Sequence, residues 1–195
     1  RTVNLARNWI HRIRPEARGP ETAPAGNASL SLEVKPRLDE KSGYASYHRD
    51  DAWHDRVVAQ YDDSVRAMVR LCREAGVPIL LVKLGSNLRD CPPFKSEHRP
   101  DLTPDQENAW QAAFEAATAA EKSDLEKALA LYRKAEALDN EFALLAYRIA
   151  SVLDRLGRPR EALEYYLKAR DQDICPLRTP KRHEEILDAI AAETR

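Results

Sequence analysis

Ala128-Leu129-Ala130-Leu131-Tyr132-Arg133-Lys134-Ala135 and Ala162-Leu163-Glu164-Tyr165-Tyr166-Leu167-Lys168-Ala169 stand 34 residues apart and share alanine, leucine, tyrosine, lysine and alanine in register. The offset runs on in both directions. Asp139 meets Asp173, and upstream Ala109 meets Ala143, Ala112 meets Ala146, and Ala116 meets Ala150. Ala-x-x-x-Tyr-x-x-Ala puts two small residues and an aromatic ring on one helix face. The alanines admit a closely packed neighbour and the ring fills the remaining gap. Leu156-Gly157-Arg158-Pro159 marks the turn between helices in the second copy; Glu121-Lys122-Ser123-Asp124 occupies that place in the first. The pattern predicts two helix–turn–helix units, residues 109–142 and 143–176.

A 34-residue period with recurring small residues resembles the tetratricopeptide (TPR) repeat. The resemblance implies an α-α superhelix that receives a protein or peptide in its concave groove. It places Leu144, Tyr147, Arg148, Ser151 and Arg155 on that groove. Arg148 and Arg155 lie seven apart, hence on one face, where they would meet an acidic peptide or form a solvated basic edge beside Asp154. Two repeats fall below the three or so that bury a solenoid core. A closing helix over Pro180–Thr194 is therefore expected to cap them, its Ile186, Leu187 and Ile190 facing inward and Glu184, Glu185 and Asp188 outward. At the other end Thr103 with Gln106 makes a capping box and Pro104 takes the first helical position, so a helix starts there.

Upstream, Val57, Val58, Tyr61, Val65, Met68, Val69, Leu71 and Cys72 form a helical stripe, and Gly76 sits where a glycine ends a helix. Pro78-Ile79-Leu80-Leu81-Val82-Lys83-Leu84 reads as a strand buried on both faces, the second half of a βαβ unit. Such a strand needs neighbours for its backbone groups. This sequence offers only Ser29-Leu30-Ser31-Leu32-Glu33-Val34, which alternates with period two. A short helix is expected over residues 2–13, and the prolines and glycines of residues 14–50 give an irregular connection. The whole reads as a mainly α chain: residues 1–50 a helix and linker, 51–103 a small α/β fragment, and 104–195 a TPR-like superhelix of two repeats plus a capping helix.

Composition excludes several functions. Lys+Arg (31) and Asp+Glu (32) nearly cancel and are scattered, so there is no nucleic-acid footprint. No apolar run approaches the roughly 20 residues of a membrane span. Cys72, Cys91 and Cys175 lack metal-ligand or paired spacing, so no metal or cofactor is expected. Free thiols suit a reducing compartment such as the cytoplasm, although the compartment stays open. The opening Arg1-Thr2-Val3-Asn4 carries neither an initiator methionine nor a signal peptide, and reads as a piece of a longer protein.

The densest polar cluster, Asn87-Leu88-Arg89-Asp90…Lys95-Ser96-Glu97-His98, follows the carboxyl end of the expected strand, where ligands bind in open α/β sheets. Arg89 and Lys95 suit an anion, Asn87 a carbonyl, and His98 a proton; a hydrogen-bonded loop over a sheet edge is the equal alternative. Three strings resemble the central part of bacterial SGNH/GDSL-type hydrolase-like proteins with a TPR insertion: 73–82 (REAGVPILLV), 85–98 (GSNLRDCPPFKSEH) and 169–178 (ARDQDICPLR). The resemblance implies that Asn87, Arg89, Asp90, Lys95, Ser96, His98 and Arg178 wall a pocket. That family's Gly-Asp-Ser nucleophile motif and Asp-x-x-His base motif are absent here, so no catalytic residue transfers. The expected function is a TPR-type protein-interaction or scaffolding segment of a larger hydrolase-like protein, without catalysis of its own. Two alternatives are part of an esterase site completed by other sequence or chains, and a free-standing peptide adaptor. A lone strand and a short repeat stack would leave apolar surface, so self-association is also expected.

Overall fold

The amphipathic stripes of the sequence become helices in the computed structural model, which describes residues 47–194. The helix expected over residues 2–13 and the strand over 29–34 lie outside the described residues. Among the described residues there are six helices: α1 (Asp51–Glu74), α2 (Pro104–Ala120), α3 (Leu125–Leu138), α4 (Ala143–Arg155), α5 (Pro159–Asp171) and α6 (Lys181–Glu193). The described part is thus mainly helical. No helix in it is long and apolar enough to cross a membrane.

Local chemistry sets the ends. The Thr103–Gln106 capping box opens α2, with Pro104 at its first position. Asp124 caps α3 by accepting the Lys127 amide at 2.9 Å. Gly76 ends α1 at φ 64° and Gly157 ends α4 at φ 76°, a conformation that burdens any residue with a Cβ. After each glycine the chain closes the same pair of bonds: Val77 N to Cys72 O and Gly76 N to Arg73 O, then Arg158 N to Leu153 O and Gly157 N to Asp154 O.

Helices α2 and α3 form one hairpin, α4 and α5 a second, and α3 packs on α4. One core runs through both hairpins, from Trp110 and Ala117 through Tyr132, Leu145, Ile149 and Leu153 to Tyr166. The 34-residue offset holds for the second helices. Ala128 and Ala162, Tyr132 and Tyr166, and Ala135 and Ala169 are all buried. It slips by one residue in the first helices. Ala109, Ala112 and Ala116 are exposed, whereas Ala143, Ala146 and Ala150 are buried. The equivalents under 35 residues match instead: Trp110 with Leu145 and Ala117 with Val152, every one buried. The cause is the turn. Residues 121–124 separate α2 from α3, but only 156–158 separate α4 from α5. The upstream alanine coincidences therefore mark no shared packing position.

Helix α6 is not the cap that its stripe suggested. Leu187, Ile190 and Ile186 pack with Val65, Val69 and Tyr61 of α1 and with Leu81, in a second, smaller core. Helix α6 thus covers part of the apolar face of α1. Consequently Leu163 on α5 stays 51% exposed where its repeat mate Leu129 is 6% exposed. Arg170, nearly buried on α5, ties α6 back through Glu184 at 2.8 Å.

The strand expected over Pro78–Leu84 is also absent: among the described residues there is no strand, and this stretch has no regular structure. Leu81 reaches the α1–α6 core and Lys83 pairs with Asp188 at 2.9 Å, while Leu80 is 84% exposed. A strand forms only when its backbone groups find a neighbouring ladder, and nothing described lies alongside.

The α1–α6 contact carries a pH dependence. The His183 ring of α6 packs tilted against Tyr61 of α1 at 4.5 Å, and its Nδ1 is buried without a hydrogen-bond partner among the described residues. Burial, followed by repulsion from His54 and Arg182, holds its pKa below the ordinary 6.5. Arg182 is itself paired with Asp55 of α1 at 2.5 Å. The folded chain thus binds fewer protons here than the unfolded chain, so stability rises with pH through this window. The contribution is complete above about pH 6.5 and is lost as the pH falls below it. Thermal melts between pH 7.5 and 5.5 should show this loss, and His183→Phe should flatten it. An equal slope in the variant would assign the effect elsewhere.

Candidate functional site

Segment 86–98 leaves the α1 side of the chain and lies against the two hairpins, running antiparallel to α4. Leu88 packs against the main core. The Arg89 carbonyl accepts the Tyr147 hydroxyl at 2.7 Å, and its guanidinium meets Asp154 at 2.7 Å. Further along, Ser96 Oγ accepts the Leu144 amide at 2.9 Å. That amide lies in the first turn of α4, whose N-cap Phe142 offers no side-chain acceptor. Ser96 therefore serves as a cap brought from elsewhere in the chain.

Two buried aspartates grip the segment, and they are the repeat pair Asp139 and Asp173. Asp139 follows α3 as its C-cap, and Asp173 lies just past the end of α5. In each, one carboxylate oxygen accepts the amide two residues on: Glu141 N at 2.8 Å and Cys175 N at 3.1 Å. Asp139 Oδ2 meets His98 Nδ1 at 2.7 Å. Asp173 accepts the Phe94 and Lys95 amides at 2.9 and 3.0 Å, and pairs with Arg178 at 3.2 Å. Arg178 also donates to the Cys91 carbonyl at 2.7 Å, and Ile174 N donates to the Lys95 carbonyl at 3.0 Å. Charge-assisted bonds of this kind each contribute roughly 1.5–3 kcal/mol.

Around this grip sits a polar collar. Glu97 receives the Arg49 amide at 2.8 Å, pairs with Lys95 at 3.0 Å and meets His48 at 2.9 Å. Burial opposes its ionisation, but Arg49, Lys95 and His48 together hold its carboxyl below the usual value. Lys95 Nζ also donates to the Tyr47 carbonyl. His98 stands edge-on to Trp110 at 4.6 Å and against Phe142 at 4.5 Å.

The residues expected to wall a pocket thus come together, but their polar groups are engaged mostly by the helices and turns they lie against. The Asn87 Oδ1 accepts the Asp90 amide at 3.0 Å, closing a local turn. Ser96 is taken by the Leu144 amide, His98 by Asp139 and Arg178 by Asp173 and the Cys91 carbonyl, while Lys95 Nζ turns to Glu97 and the Tyr47 carbonyl. The expected groove is brought to the same place: Leu144 and Tyr147 hold the segment, and Ser151 is half-buried on the same helix. Arg148 and Arg155 point to Glu121 of the other hairpin, at 3.9 and 3.3 Å. An acidic partner for these arginines is therefore already supplied within the chain. Beside the segment, an open recess of about 400 Å³ is lined by Asn87, Leu88, Arg89, Asp154, Leu163 and Tyr166.

Among the described residues no serine or cysteine is hydrogen-bonded to a histidine. Burial, with Asp173 adding to it, pushes the Cys175 thiol up, away from the thiolate that a nucleophile requires. No cluster of three or more His, Cys, Asp or Glu among the described residues is placed to hold a metal ion. Sequence reasoning missed Asp139, Asp173 and Glu121 as organisers. The signal for the aspartates was present, as an acidic coincidence in the 34-residue register that packing alone does not require. No protein-family model, curated protein or solved structure matches this chain.

Proposed function

We propose that α2–α5 is a TPR-type protein-interaction and scaffolding segment, without catalysis of its own, within a larger SGNH/GDSL hydrolase-like protein. The observation that carries the reading is the equivalent use of Asp139 and Asp173, one per repeat, to grip a non-helical peptide segment along the α4 face. Stacked repeats create extended concave surfaces on which partners bind. The N-terminal α/β fragment of the reading rests on residues 78–84, whose exposed aliphatic row suits a strand separated from its sheet. The hydrolase context rests on the resemblance of the three quoted strings. The partner class is protein or peptide, a second copy of the chain included.

The absence of catalysis is tested directly. The purified chain, incubated with short-chain acyl esters, should release product no faster than buffer does. Turnover that disappears in Ser96→Ala or His98→Ala would overturn the reading. It would instead support a hydrolase site built on the His98–Asp139 pair.

A further inference from the structure

The main core runs from Trp110 to Tyr166, and every buried member of it lies in α2–α5; from the gripped segment Leu88 packs against it and His98 stands edge-on to Trp110. Segment 88–98 is therefore laid upon a surface that the helices build themselves. It is read along its length in one direction. Asp154 and Tyr147 take Arg89, Asp173 takes the Phe94 and Lys95 amides, Leu144 takes Ser96, and Asp139 takes His98. Backbone amides and carbonyls supply affinity, while an aliphatic, a basic and an imidazole side chain fix the register.

We propose that this segment is the resident ligand of the α4–α5 groove, bound in cis. The groove then accepts a peptide of the same pattern, Leu-Arg, four residues, Phe-Lys-Ser-x-His, only when the resident lifts off. The inference rests on reading α2–α5 as an interaction repeat and names the partner of that surface. Tethering keeps the resident at an effective concentration in the millimolar range. An outside peptide of equal intrinsic affinity is excluded at ordinary concentrations.

A fluorescently labelled peptide of residues 86–99 is titrated against the full chain and against Lys95→Pro/His98→Ala. The double variant removes one amide to Asp173 and the imidazole to Asp139, and alters no residue of α2–α5. The wild-type chain should show no saturable binding up to roughly 100 µM, and the variant should bind at least tenfold more tightly. A peptide carrying proline at the Lys95 position should bind neither. Saturable binding by the wild-type chain equal to that of the variant would overturn the proposal, as would a variant that keeps its helical circular dichroism yet binds nothing. If the double variant loses its helical signal, His98→Ala alone decides by amide exchange. The Leu144 amide, held by Ser96, should exchange at least tenfold faster while Leu153 in the core is unchanged; an unchanged Leu144 would overturn the proposal. Ester turnover, which would defeat the functional reading, is a separate measurement and leaves these outcomes intact.

Discussion

Asp173→Ala is expected to lower the unfolding free energy by about 3–5 kcal/mol, the range for removing one partner of a buried charged pair. The Asp173 side chain is 1% exposed and answers four donors: the amides of Phe94, Lys95 and Cys175, and the Arg178 guanidinium. Alanine leaves all four without their acceptor. Arg178, whose side chain is 12% exposed, suffers most because it keeps its charge. Asp173→Asn should fall between, since an amide oxygen still accepts while its nitrogen faces donors. Removing the charge as well, in Asp173→Ala/Arg178→Met, should cost less than the sum of the two single changes. Urea unfolding of the wild-type chain, the three single variants and the double variant provides the measurement. A loss below about 1 kcal/mol for Asp173→Ala would mean that segment 86–98 is not anchored there.

The helical half was legible in the sequence where local and tertiary demands coincide. Ala128, Tyr132 and Ala135 repeat as Ala162, Tyr166 and Ala169 because both second helices pack in the same way. The upstream alanine matches misled for a definable reason. A turn built on Asp124 is one residue longer than the turn built on Gly157, and the first helices rotate accordingly. Helix α6 showed its stripe but not its destination. Periodicity identifies an apolar face; it does not say which of two apolar faces receives it. Residues 78–84 have a strand's composition, yet strand structure depends on pairing that no local pattern contains.

The site was legible as an inventory and illegible as an arrangement. The polar residues of 87–98 and those of α4 were singled out as two separate surfaces, and the fold makes them the two sides of one contact. Nothing local in Ser96 announces that it caps a helix beginning at Ala143. Such long-range pairings follow from topology. The Asp139–Asp173 coincidence was the one local trace of them, because a buried acid kept in both repeats implies a donor brought to each.

Trp110→Ala should be the most damaging apolar change, at about 3–5 kcal/mol. The indole is 2% exposed and stands at the meeting of three segments. Phe114 stacks on it at 4.9 Å from its own helix, Phe142 leans on it at 4.7 Å from the start of α4, and His98 meets it edge-on from the gripped segment. Alanine leaves a void that two hairpins cannot close without moving the Asp139–His98 contact. The damage should therefore extend to the segment. In a double-mutant cycle, Trp110→Ala and His98→Ala should couple by about 0.5–1.5 kcal/mol, the range for aromatic pairs. Additive effects would mean that the imidazole is held by Asp139 alone. Trp110→Phe keeps part of the ring volume and should recover about half of the loss. The denaturant midpoint should drop while the urea dependence keeps its slope, because the surface exposed on unfolding is nearly unchanged. A shallower slope would instead place the damage in a separately melting first hairpin, since α2 would then come away while α4 and α5 stay folded.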